Sequence, residues 1–286
     1  MDRIANASKT IEVIKKHDFS FQKRYGQNFL IDGHVLEKIM DAAEIGKDDH
    51  VIEIGPGIGS MTQYLCERAG RVTAVEIDRE LIPILKETLR DYENVSIIND
   101  DILKVDMDRL LNTDEKKGFA KVVANLPYYI TTPIVMGLLE NHTPLKSITV
   151  MVQKEVAERM VSGPGSKEYG ALSLAVRYYS DPHIVANVPP GCFIPRPKVG
   201  SAVIKLDIYE KPPVPVSNES LMFKLIRAAF NQRRKTLANS IANAKELDFS
   251  KEDVLKALNE MELNENIRGE ALALEDFAHL TGLLDF

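Results

Sequence analysis

Cysteine is nearly absent from this chain, at two residues in 286. Cys66 and Cys192 form no C-x-x-C pair and stand near no histidine cluster, so there is no zinc-binding pattern and both thiols read as packing residues. Long apolar runs are missing as well. Ile148–Val152 is the stretch worth testing as a membrane span, and it is far shorter than the ~20 residues a crossing needs. The N-terminal segment MDRIANASKTIEVIKKHD lacks an apolar centre of the secretory kind and carries Asp2, Glu12 and Asp18, unlike an acid-poor transit peptide. The expectation is a cytoplasmic protein, a monomer, with no membrane partner and no metal. An excess of positive charge is also missing: 36 Lys and Arg stand against 42 Asp and Glu, a net charge of −6. Over the whole chain this argues against a nucleic-acid binder, because phosphate contacts rest on Lys and Arg. What counts is local clustering, and the basic residues here do cluster.

What is present is an ordinary globular composition, 44% hydrophobic and 27% charged, with length for one large domain and one small one. After a polar lead-in over 1–20 and an aperiodic segment over 21–32, HVLEKIMDAAEI (34–45) has helical spacing. Then β-branched runs alternate with helical ones. Strands are expected at 50–55, 71–78, 95–100, 121–128 and 147–153, with helices at 61–70, 79–92, 131–141, 154–162 and 171–180. Such alternation means a parallel sheet flanked by helices. Two late strands, 183–188 and 201–209, suggest an antiparallel hairpin-like edge. The proline-rich stretch 210–220 reads as a linker, and the residues beyond it have helical composition. The expected division is a catalytic domain over 1–209 and a small all-α domain over 210–286 that recognises the substrate.

The chemistry begins at Glu53-Ile54-Gly55-Pro56-Gly57-Ile58-Gly59, a glycine-rich turn after the first of these strands, where a ligand can approach the backbone. Glu76 ends the next strand, 21 residues after Gly55, the distance at which an acid meets a ribose diol. A dinucleotide fingerprint would need glycine where Ser60 stands, and the loop lacks the G-K-[ST] ending of a P-loop. Glu-x-Gly-x-Gly-x-Gly resembles motif I of S-adenosylmethionine-dependent methyltransferases. That resemblance implies a Rossmann-like α/β sheet with helices on both faces and S-adenosyl-L-methionine as cofactor. It places Glu53, Gly55, Gly57 and Gly59 at the cofactor, Glu76 and Ile77 at its ribose, and Asp101 and Ile102 of the NDDI turn at its adenine. Asp101 taken alone is equally a turn residue.

Asn125-Leu126-Pro127-Tyr128, directly after a strand, resembles the signature of amino-group nucleic-acid methyltransferases. The nitrogen of an adenine amine is a poor nucleophile because its lone pair is delocalised. Asn125 and a backbone carbonyl of the turn can accept its two hydrogens and favour a pyramidal nitrogen. Pro127 fixes the turn, and Tyr128 can stack on the target base. Gln27-Asn28-Phe29-Leu30 resembles the motif that closes over the methionine end of the cofactor, with contacts from Gln27, Asn28 and Leu30. FIPRPKVGSAV (193–203) resembles a motif whose aromatic, here Phe193, packs on a flipped base; Phe193 could equally be a core residue. In this order the motifs resemble the ribosomal RNA adenine N6,N6-dimethyltransferase family.

The resemblance implies as partner an immature small ribosomal subunit, with two adjacent adenosines near the 3′ end of its RNA each receiving two methyls. Arg227, Arg233, Arg234 and Lys235 read as a basic cluster on one helix, with Arg196 and Lys198 flanking Phe193 and Lys23 and Arg24 flanking QNFL. All eight are candidates for RNA contact. The alternatives are a methyltransferase of large-subunit rRNA, a non-catalytic rRNA-binding assembly factor, and an adenine methyltransferase acting on DNA.

Overall fold

The computed structural model describes residues 3–111 and 120–285, with the side chain of Lys23 outside the described part. Nine strands are present among these residues: β1 (Phe29–Leu30), β2 (His50–Ile54), β3 (Arg71–Glu76), β4 (Val95–Asn99), β5 (Ala120–Asn125), β6 (Leu145–Gln153), β7 (Ser180–Val188), β8 (Phe193–Ile194) and β9 (Ser201–Ile208). Seven of them form one sheet in the order β4-β3-β2-β5-β6-β9-β7. The pairs from β4 to β6 are parallel, and β6 runs antiparallel to β9 from Ser147↔Asp207 to Gln153↔Ser201. The β-branched runs VIEI and VTAV are buried along almost their whole length, as a sheet covered on both faces requires. The late strands form the edge expected from sequence, β9 pairing antiparallel with β6 and bonding to β7 on its other side, which leaves β7 outermost.

The chain leaves β2 toward β3 on one side and reaches β5 on the other. The carboxyl ends of β2 and β5 therefore flank a topological switch point, where open α/β sheets bind ligands. Helix Gly33–Ala43 starts at Asp32, whose Oδ1 accepts from His34 N at 2.9 Å, and ends at Glu44 in the left-handed region at φ 49°. Its apolar stripe, Leu36, Ile39, Met40 and Ala43, is 0–1% exposed and packs in one core with Val51, Val72, Val123, Met151 and Val203 of the sheet. A second core forms under the glycine loop. There Phe29 and Ile58 meet Ile4, Phe19, Leu81 and Ile84, and Phe21 and Phe29 lie 5.2 Å apart between ring centres.

The chain divides into two compact units, Met1–Ala157 with His183–Ile208, and Glu158–Pro182 with Tyr209–Phe286. Residues 210–220, read from sequence as a linker, lie inside the second unit, which also takes in residues 158–182. The physical reason lies in their side chains. Tyr169 donates to Leu272 O at 2.8 Å, Tyr179 donates to Glu219 Oε1 at 2.5 Å, and the ring of Tyr179 stacks on Phe223 at 5.7 Å. The core of this second unit is built from Leu225, Ile226, Leu237, Val254, Leu258 and Phe277, all 0% exposed.

Candidate active site

The carboxyl ends of β2, β3 and β5 open into a cleft of about 1050 Å³, open solvent included, walled by residues 25–30, 53–58, 60–61, 75–77 and 125–130, together with Asp100–Ile102. All of it lies within the first unit. The glycine loop forms its floor. Gly55 has φ +68°, and a Cβ built there would meet nothing within 4 Å, so a side chain would project into the cleft. Gly57 has φ +63°, and a Cβ there would stand 3.0 Å from the ring of Phe29. Glycine at 57 thus lets β1 lie directly on the loop. Gly59, expected at the cofactor, does not line the cleft and instead caps the helix that follows, packed against Thr88.

Glu76, at the end of β3, accepts from Gly57 N at 3.2 Å through Oε2 and from Asp78 N at 2.8 Å through Oε1. Burial pushes its carboxyl up to about 7, with those two backbone donors opposing the shift. Glu53 is 0% exposed, and neither of its oxygens has hydrogen-bond geometry to a partner among the described residues. Burial pushes it up to about 8. The Thr62 hydroxyl lies beside the carboxyl and works against that shift, while the nearby Glu76 adds to it. Asp101 lines the cleft together with Ile77 and Ile102. Its carboxylate also accepts from Leu103 N at 3.1 Å and stands 3.7 Å from Lys104 Nζ, so the residue that makes the turn also lines the cleft.

The segment 25–30 forms the opposite wall. Gln27 Nε2 donates to Asp78 Oδ2 at 2.7 Å, and Gln27 Oε1 accepts from Gln22 N at 2.9 Å. The Asn28 carbonyl accepts from Asn125 Nδ2 at 2.9 Å. Asn125 is thereby fixed, with its amide nitrogen engaged and Oδ1 left as acceptor. In the same turn, the Pro127 carbonyl accepts from Ile130 N at 3.2 Å and Thr131 Oγ1 at 3.1 Å. Leu126 N donates to Met151 O at 3.1 Å, and no donor meets the Leu126 carbonyl among the described residues. The half-buried Tyr128 is held through its hydroxyl, 2.7 Å from Ser201 Oγ, and burial raises its phenol.

Several expected residues sit elsewhere than anticipated. Phe193 is 3% exposed, pairs with Leu30 across the short β1–β8 ladder, and packs in the main core instead of walling the cleft. The basic cluster is not on one helix. Helix Glu219–Asn231 carries Arg227, while Arg233, Arg234 and Lys235 occupy the turn beyond its end. Within that turn Arg233, itself exposed, donates to Lys167 O and Tyr169 O, each at 3.1 Å, with Glu270 at 3.7 Å. Arg227, Arg234 and Lys235 are exposed in the second unit; Arg24, Arg196 and Lys198 are exposed in the first. The Arg24 guanidinium lies 4.6 Å over the ring of Tyr25.

Sequence motifs assign no role to two residues that support the cleft. Asp78, 2% exposed, braces Gln27 and stands two positions after Glu76. Tyr129, 58% exposed, covers Gly26 at the cleft mouth. The doubled tyrosine after Pro127 is the one sequence feature that could have pointed to the latter.

A glycine loop after β2, a carboxylate ending β3 and an Asn-Leu-Pro-Tyr turn after β5, all converging at one switch point, define an S-adenosylmethionine-dependent methyltransferase. The chain belongs to the ribosomal RNA adenine dimethylase family, whose model matches residues 18–281. It is 62% identical over 286 residues to a ribosomal RNA small subunit methyltransferase A of Lachnoclostridium phytofermentans, covering 100% of this chain and 99% of that one. The protein of that name from Clostridioides difficile is 49% identical, with 100% and 98% covered. Among solved structures, a dimethyladenosine transferase from Plasmodium falciparum matches with a TM-score of 0.73 at 28% identity, over 88% of this chain and 95% of that one. The 23S rRNA methyltransferase ErmE matches at 0.68 and 26%, over 91% and 100%.

Proposed function

We propose that this enzyme dimethylates the N6 amines of two adjacent adenosines near the 3′ end of small-subunit ribosomal RNA, using S-adenosylmethionine, on an immature small subunit. The observation that carries the subunit assignment is likeness over nearly the full length to proteins named for the small subunit, at 62% and 49% identity, against 26% for the 23S enzyme.

The residues present fit the cofactor. The Gly55 backbone opens on the cleft, and Glu53 holds buried oxygens with no partner among the described residues. On this reading Glu76 with Ile77 meets the ribose diol, and Asp101 with Ile102 meets the adenine; all four line the cleft. Gln27, Asn28 and Leu30 belong to the segment that would close over the methionine end. When bound, the cofactor supplies an electrophilic methyl group.

The protein's part is to prepare the nitrogen that attacks it. Asn125 Oδ1 and the Leu126 carbonyl accept the two N6 hydrogens, drawing the lone pair out of conjugation. Positive charge that builds on the nitrogen during transfer is stabilised by the same two acceptors. Because Asn125 Nδ2 is held by the Asn28 carbonyl, Oδ1 needs no reorganisation at that moment. No strong general base is required, since the alkylated amine is acidic and loses its proton to solvent. Tyr128, anchored on Ser201, offers the face on which the base stacks. Phe193 supports that wall from the core, through the β1–β8 ladder. Exposed Arg24, Arg196, Lys198, Arg227, Arg234 and Lys235 serve RNA phosphates.

The test is methyl transfer from labelled S-adenosylmethionine to undermethylated small and large ribosomal subunits, compared side by side. Label confined to small-subunit RNA is expected. Label on large-subunit RNA alone would overturn the assignment.

A further inference from the structure

The electrostatics of the cleft are one-sided. Glu53, Glu76, Asp100 and Asp101 line it, and among the described residues no Lys, Arg or His does. Lys104 reaches Asp101 at 3.7 Å from solvent, with its own side chain 77% exposed. Glu53 lies deepest. Glu76 faces it from the end of β3, and Cys66, with a thiol that burial and Glu53 together push up to about 12, faces it from helix Ser60–Arg68. The neighbouring strand positions are apolar: register partners Ala74 of β3 and Val123 of β5 bring no charge. Glu76 keeps two backbone donors for its ionised form, whereas Glu53 has none among the described residues. With only the Thr62 hydroxyl beside it and no cation among the described residues, a carboxylate removed from water is expensive, so in the cofactor-free protein Glu53 favours its protonated form.

The two forms of the cofactor differ by one unit of charge. The methyl donor carries a sulfonium, an ammonium and a carboxylate, for a net +1. The spent thioether carries only the last two and is neutral. We propose that Glu53 is a proton-linked sensor of cofactor charge, releasing its proton to solvent when the sulfonium donor binds and keeping it when the thioether binds. This inference rests on the reading that the cleft takes S-adenosylmethionine.

The protons balance over one turnover. Binding of the donor converts the Glu53 carboxylic acid to carboxylate and puts one proton into solvent. After transfer the sulfonium charge has left with the methylated amine, and Glu53 takes a proton back. The thioether is then held without an ionic partner for Glu53, which favours its exchange for fresh donor. With a carboxyl pushed up to about 8, the linkage falls in the neutral range. The affinity for donor relative to thioether rises by as much as about tenfold per pH unit over that range, the limit for one linked proton.

The experiment is calorimetric titration of the intact protein with S-adenosylmethionine and, separately, with S-adenosylhomocysteine. Both are run near pH 7 in two buffers of very different ionisation enthalpy, such as HEPES and Tris. The donor's apparent binding enthalpy should change with buffer by an amount equal to a substantial fraction of a proton. The change for the thioether should be at least twofold smaller. In Glu53→Gln the two ligands should show equal buffer dependence, with the donor's advantage flattened against pH. Equal proton release for both ligands in the unaltered protein overturns the proposal, whatever the variant does. Donor binding that shows no buffer dependence also overturns it while leaving the methyltransferase reading intact. Absence of donor binding altogether would overturn both.

Discussion

Asn125 is the residue on which the chemistry turns, and its geometry separates two roles. Nδ2 donates to the Asn28 carbonyl at 2.9 Å, which leaves Oδ1 as the acceptor proposed for the substrate amine. Removing a preorganised acceptor of this kind lowers turnover by roughly 10²–10³. Asn125→Ala is therefore expected to lose about that factor in kcat, with a smaller loss in cofactor affinity from the loosened Asn28 wall. Equal losses in both, measured by single-turnover kinetics and calorimetry, would make Asn125 a scaffold residue instead. A second prediction concerns the buried acids. Glu53 and Glu76 are pushed up to about 8 and about 7 from an ordinary 4.5, so the folded protein holds more protons than the unfolded chain between those values. Stability of the cofactor-free protein falls as pH rises through that window and levels off above it. Glu53→Gln should melt above the unaltered protein at pH 8 and close to it at pH 5, monitored by circular dichroism; equal displacement at both pH values would contradict this linkage. Glu53, Glu76 and Asn125 were legible in the sequence because each is tied to a strand end by a short motif. Phe193 was not, since a motif reports which aromatic is present but not which side of a two-residue strand it occupies.

At the scale of elements, the glycine loop and β1 act as one piece. Gly57→Ala places a methyl 3.0 Å from Phe29 on a backbone at φ +63°. The expected result is a loss of roughly 1–3 kcal/mol of stability, by denaturant titration, with weakened cofactor binding. A neutral outcome would mean that the loop and β1 are not in contact in solution. The turn after helix Glu219–Asn231 carries another division of labour. Arg233→Ala breaks its bonds to the Lys167 and Tyr169 carbonyls and should lower stability by roughly 1–2 kcal/mol. By contrast, Arg234→Glu should leave the melting midpoint nearly unchanged and weaken RNA binding, with a shallower dependence on salt. If both substitutions changed only RNA binding, the Arg233 bonds to the two carbonyls would not contribute to stability. Sequence periodicity located the strands of the seven-stranded sheet to within a few residues. It missed that three of the four basic residues lie beyond the helix end, because the polar stretch NQRRK continues the helix's composition without its geometry.

For the whole molecule, the two-unit division makes the C-terminal part inseparable from residues 158–182. A chain cut at residue 209 would strip Tyr169, Tyr178 and Tyr179 of Leu272, Glu219 and Phe223. It should aggregate or bind dyes specific for exposed apolar surface, and a soluble, cooperatively melting product would contradict the division. The run of prolines that lies inside the second unit was visible. The return of 158–182 to the distal helices was not, because its partners lie from about 40 to over 100 positions away and local pattern carries no such information. The central claim is adenine dimethylation directed by the Asn125 turn on small-subunit RNA, and nucleoside mass spectrometry tests it most directly. Undermethylated small subunits treated with the protein and S-adenosylmethionine should yield N6,N6-dimethyladenosine on digestion, and Asn125→Ala should yield little or none while still binding cofactor. Dimethyladenosine formed equally well by the variant, or none formed by the unaltered protein, would contradict that claim.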